Sequence, residues 1–169
     1  DDAAEAFDII EKATADGQIR RFTGNDYQDD LISGNFVANV AWSGDIAQLQ
    51  LDNPSLRFVV PESGSTLWSD TMVIPRRSPH LAEAAAWMNW VYDPVNAARI
   101  AAYVGYMSPV DGVRDILAAS TDDFEKSLAE NELMFPSAET LANTDSWGRL
   151  SDEVEAQFDE RFSGIVGAS

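Results

Sequence analysis

The hydrophobic pattern alternates between helical and extended periods. Phe7 and Ile10 at helical spacing among strong helix formers predict a helix over residues 4–13, stopped by Asp16-Gly17. After the turn residues Thr23-Gly24-Asn25-Asp26, a short helix is expected over 29–33, ended by Gly34, with a further one over 46–51. Three apolar runs have strand length: 36–42 (FVANVAW), 57–60 (RFVV) and 67–74 (LWSDTMVI). Ser78-Pro79 predicts the start of a helix whose apolar face is Leu81, Ala84, Ala85, Met88 and Val91. Asp93-Pro94 repeats that signal for a helix over 94–103, closed by Gly105. Pro109 makes 106–110 an extended connector. Beyond it, Thr121 and Ser137 are candidate caps, and Leu150, Val154, Phe158 and Phe162 form one stripe on a helix over 148–162. Strands separated by helices indicate an α/β protein, but three strands are few for a sheet covered on both faces.

Composition narrows the chemistry. The chain has 169 residues, 45% of them apolar, which is enough to bury a core. It has no cysteine, so disulfides, Cys-ligated metals and Cys nucleophiles drop out. With 29 acidic against 11 basic residues the formal charge is −18, which repels nucleic-acid backbones and anionic lipid and favours cationic partners. A solvated acidic surface is the plainer reading of the same charge. No apolar run approaches the ~20 residues of a membrane span. The chain opens at Asp1-Asp2 without a leader, so any targeting signal is expected to be removed or to lie upstream.

The one histidine, His80, stands at a helix start, where a capping or surface role outweighs catalysis. Asp26, Asp29 and Asp30 lack the ligand spacing of a calcium loop. No two glycines stand in G-x-G spacing to cradle a phosphate. Aromatic residues beside turns and carboxylates are more informative. Trp42 ends an expected strand and precedes Ser43-Gly44-Asp45, Trp68 and Asp70 share one face of an extended segment, and Tyr106 follows Gly105. Ring faces attract cations and cover methylene chains, and a carboxylate pairs with an ammonium, so the set suits an amine. Core filling is the alternative role for the tryptophans. Trp87 and Trp90 read as core or lobe-packing residues, and Trp147 is ambiguous. Asp45 and Asp70 as the acid and base of a hydrolase is a further possibility, with no motif behind it.

In order along the chain, VAWSGD (Val40 to Asp45), RFVVPESGSTLWSDTMVIP (Arg57 to Pro75), DPVNAARIAAYVGYMSPV (Asp93 to Val110) and FPSAETLAN (Phe135 to Asn143) closely resemble the C-terminal half of bacterial spermidine/putrescine-binding proteins. These are the extracytoplasmic solute receptors of ABC transporters. The resemblance implies an α/β, type II periplasmic-binding-protein-like, two-lobed fold of which this chain supplies the C-terminal half. It implies residues 1–68 and 115–169 in the second lobe and 69–114 returning to the first. It implies no catalysis and no cofactor. By matching motifs, Trp42, Trp68 and Tyr106 are implied as aromatic walls and Asp70 as the carboxylate for an ammonium. Gly148 stands after Trp147 where the family commonly has glutamine, a departure that bears on ligand length. The implied partners are a polyamine, the permease subunits of an ABC transporter, and the missing N-terminal half or a second copy, with no nucleic acid. The implied location is extracytoplasmic, either periplasmic or membrane-anchored. The same fold with a different small-molecule ligand, or an interaction module without a ligand, are the competing readings.

Overall fold

A computed structural model of the chain describes residues 2–167. Its elements run α1 (Asp2–Ala15), α2 (Tyr27–Ile32), α3 (Ser43–Asp52), β1 (Ser65–Thr66), α4 (Leu81–Val91), α5 (Pro94–Val104), α6 (Val113–Ala118), α7 (Asp123–Leu128), α8 (Ala138–Ala142), β2 (Thr144–Asp145) and α9 (Asp152–Gly167). They form two compact units, one of residues 1–31 with 148–169 and the other of residues 32–147.

In the first unit α1 packs on α9. Phe7 meets Phe158 edge to face at 5.3 Å between ring centroids, and Phe22 meets Phe162 at 5.5 Å. The Arg161 guanidinium lies 5.2 Å above the Phe7 ring and is ion-paired with Asp8. The expected stripe on the last helix is therefore the packing face, although Leu150 precedes the helix. Asp26 and Asp30 both face Arg21, at 3.5 and 2.5 Å, which accounts for two of the three clustered carboxylates.

The second unit is built around α5, α6 and α7. Ala97, Ala98 and Ala101 on α5 meet Val113, Leu117, Leu128, Ala129 and Met134, all buried. The alanines let the helices approach closely. Asp93 caps α5 by accepting hydrogen bonds from the Val95 and Asn96 backbone N–H groups at 3.0 and 3.2 Å, and Pro94 occupies the first turn, where its missing donor costs nothing. Gly105 ends the helix at φ 74°, a left-handed conformation that glycine adopts freely. Ser137 caps α8 as expected, whereas Asp122 rather than Thr121 caps α7.

The extended segments depart from the sequence reading. Among the described residues the ladder is two residues long, β1 beside β2 in parallel, with Ser65 opposite Thr144 and Thr66 opposite Asp145. Residues 36–42, 57–60 and 67–74 are not strands. Val37 and Val40 are 100% and 99% exposed, and this stretch has no ladder partner among the described residues. Helix α3 starts at Ser43, three residues before the expected start at 46. Helix α4 starts at Leu81 rather than at Pro79: the Ser78 hydroxyl accepts the His80 N–H at 3.2 Å, and His80 holds the cap position without a side-chain bond. No residue of α4 is buried. Trp87 and Trp90 stack on each other at 5.2 Å while 60% and 49% exposed, so within this chain they are not core.

Candidate ligand-binding site

Three of the four residues singled out by sequence come together in the second unit. The Trp42 and Trp68 rings meet edge to face with centroids 5.2 Å apart, and Trp68 meets Tyr106 at 6.3 Å. Trp68 thus stands in contact with both other rings. Trp42 immediately precedes α3 and is 39% exposed, and Trp68 and Tyr106 are half-buried, so part of each ring is open to a ligand. The fourth residue, Asp70, lies two positions beyond Trp68. It is exposed and has no hydrogen-bond or ion-pair partner among the described residues.

The backbone that carries each ring is tied down locally. Trp68 follows β1, which is held by the Leu67 N–H donating to the Asp145 carbonyl at 2.9 Å and the Ser65 N–H donating to the Asn143 carbonyl at 3.1 Å. The Asn143 side-chain amide donates to the Pro61 carbonyl at 2.9 Å, closing the turn that leads into β1. Tyr106 follows Gly105 at the end of α5. There the Gln48 amide of α3 donates to the Val104 carbonyl at 2.8 Å, satisfying one of the carbonyls that a helix end leaves without a partner.

One member of the group, Asp45, was read from sequence only as part of the turn after Trp42 and as a hydrolase carboxylate. The Tyr106 hydroxyl donates to Asp45 Oδ1 at 2.9 Å, joining residues 61 positions apart. Asp45 lies in the first turn of α3, three positions after Trp42, and that spacing from a turn-flanking aromatic was the available signal. A carboxylate can accept several hydrogen bonds, so Asp45 can orient the phenol and still belong to a polar edge of the ring row. Trp147, two residues after β2, is 69% exposed. The arrangement supplies flat apolar faces with the Asp45 carboxylate at one edge.

The model of the bacterial extracellular solute-binding protein family matches residues 1–133. The chain belongs to this family. It is a family of solute-binding transport proteins, not of enzymes, which removes the carboxylate-hydrolase reading. Among relatives, the chain is 28% identical to a putrescine/agmatine-binding protein of Pseudomonas aeruginosa over 73% of its own length and 34% of the relative's. It is 24% identical to spermidine/putrescine-binding periplasmic protein 1 of Haemophilus influenzae, over 83% of this chain and 37% of the relative. A solved structure from Listeria monocytogenes described as a spermidine/putrescine ABC transporter superposes with a TM-score of 0.82 at 27% identity, covering 97% of this chain and 48% of that one. The spermidine/putrescine ABC transporter substrate-binding protein of Streptococcus pneumoniae gives 0.75 at 26%, covering 96% and 47%. The fold class is that of type II periplasmic binding proteins, and this chain spans about half the length of the solved neighbours it matches. Among the described residues no helix is long and apolar enough to cross a membrane.

Proposed function

We propose that the intact receptor containing this chain is the extracytoplasmic solute-binding component of an ABC transporter and takes a polyamine of the putrescine or spermidine class. The observation that carries this reading is the Trp42–Trp68–Tyr106 ring row with Asp45 bonded to Tyr106; Asp70, exposed and two residues after Trp68, is the carboxylate assigned to an ammonium. Methylenes lie against the rings, where the ring faces also attract the ammonium ends, and Asp70 pairs with one ammonium. The net charge of −18 draws a small polycation toward the molecule over distances at which the contacts themselves do not act.

The site is one wall of a cleft that closes when two lobes approach. The portion of the fold that this chain does not span supplies the opposite wall. It also covers the apolar surface of Trp87, Trp90 and Leu81, and a second copy covers that surface when the chain is alone. The permease subunits receive the ligand from the closed receptor.

Isothermal titration of the intact receptor with putrescine and spermidine, with glutamate and maltose as controls, tests the reading. Saturable binding of the amines alone, weakened by Asp70→Asn, supports it; amine binding unchanged by Asp70→Asn removes Asp70 from the site, and no amine binding returns the ligand to another solute class.

A further inference from the structure

Gly44 stands second in α3 and is buried. Its surroundings account for the glycine. A Cβ built on Gly44 would lie 2.2 Å from both Cδ2 and Cε2 of Tyr106 and 2.6 Å from its Cγ, so the Tyr106 ring lies directly on the helix backbone. No side chain can occupy that space while the ring stays where it is.

A second glycine completes the contact from the other side. Gly105, immediately before Tyr106, has φ +74°, and a Cβ there would stand 3.0 Å from the Gly44 carbonyl oxygen and 3.5 Å from both Ala47 Cβ and Gln48 Cγ. The left-handed backbone turns the chain so that residue 106 drops onto α3. Gln48 then holds the Val104 carbonyl at 2.8 Å, and Asp45 holds the Tyr106 hydroxyl at 2.9 Å. Residues 44, 45 and 48, all within α3, thus fix the face, the hydroxyl and the adjoining backbone of one aromatic side chain.

We propose that Gly44 is a positioning residue for the ligand site: its missing side chain seats the Tyr106 ring flat on α3, which sets how far that ring stands from Trp68 and so the space left for a ligand. The proposal rests on the reading of the ring row as an amine site. A methyl group at residue 44 requires the ring to withdraw by about 1 Å or more to reach ordinary contact distance. The ring would then change its distance from Trp68, and the hydroxyl would be drawn from Asp45.

The test is a double-mutant cycle in the intact receptor: wild type, Gly44→Ala, Tyr106→Ala and the double variant, each titrated with putrescine. The apo proteins are also compared through the ring resonances of Tyr106, which the neighbouring Trp68 displaces. Gly44→Ala is expected to weaken putrescine binding about ten-fold or more in the wild-type background and less than about two-fold in the Tyr106→Ala background. It is also expected to shift the apo Tyr106 resonances. An equal loss in both backgrounds, or unchanged affinity with unchanged resonances, overturns the proposal. If Gly44→Ala alone fails to fold, folding of the double variant supports the ring as the source of the clash, and failure of both overturns it. If no variant binds putrescine while Gly44→Ala still shifts the Tyr106 resonances, the seating role stands and the amine reading fails.

Discussion

Trp68 contacts the other two rings, so its removal is the most informative single perturbation of the site. In Trp68→Ala two edge-to-face contacts disappear, with Trp42 at 5.2 Å and with Tyr106 at 6.3 Å. Such pairs contribute about 0.5–1.5 kcal/mol each beyond their buried area, so the two together predict a loss of about 1–3 kcal/mol in unfolding free energy. The effect on a bound diamine is separate. A cation over an indole face gains about 0.5–1 kcal/mol when exposed and about 2 when desolvated. Each methylene uncovered costs a further ~0.8 kcal/mol or less. Together these predict a loss of about 1.5–3 kcal/mol in binding, a weakening of roughly 10- to 150-fold. Calorimetric titration with putrescine well below the unfolding temperature measures the binding effect, and urea unfolding measures the stability effect. A folded Trp68→Ala receptor that binds putrescine within about two-fold of wild type would refute the stacking argument, whatever its stability.

Three other predictions address the electrostatics and the frame that carries the site. Raising sodium chloride from about 0.1 to 1 M shortens the screening length from about 10 to 3 Å, so putrescine affinity should fall several-fold in titrations across that range; a flat salt dependence would remove long-range attraction from the account. Asp93→Ala deletes the cap that accepts two backbone N–H groups of α5, and urea unfolding should register a loss of about 1 kcal/mol, with Asp93→Asn recovering most of it. Leu117→Ala empties a site only 2% exposed at the centre of the α5–α6–α7 core and should cost about 2.7–5 kcal/mol in the same assay, whereas a loss below about 1 kcal/mol would mean that the core collapses around the gap.

What could be read from sequence divides by range. The Asp93-Pro94 start and the Gly105 end of α5, and the Ser137 cap of α8, are set by a few adjacent atoms, and the residue types alone predicted them. The strands were not legible in the same way. FVANVAW has the composition of a strand, yet a strand is a relation to a neighbouring segment, and Val37 and Val40 have no such neighbour among the described residues. Helix α6 was missed because its six residues follow Gly112 without a side-chain cap. At the site, the aromatics beside turns were visible as Trp42, Trp68 and Tyr106, while the contact among their rings depends on the tertiary structure. The bond between Tyr106 and Asp45 spans 61 positions and could not be read from local pattern. Gly44 was read only as part of the turn after an expected strand, because the contact that calls for glycine lies in the tertiary structure rather than in its own segment.

The measurement that bears most directly on the central claim is a putrescine and spermidine titration of the intact receptor, followed by tryptophan fluorescence, with glutamate and maltose as controls. Trp42 and Trp68, whose rings touch, are reporters within the proposed site. Saturable, amine-specific change that is lost in Trp68→Ala and weakened in Asp70→Asn is the predicted result. A receptor that closes on one of the control solutes and ignores both amines would contradict the account.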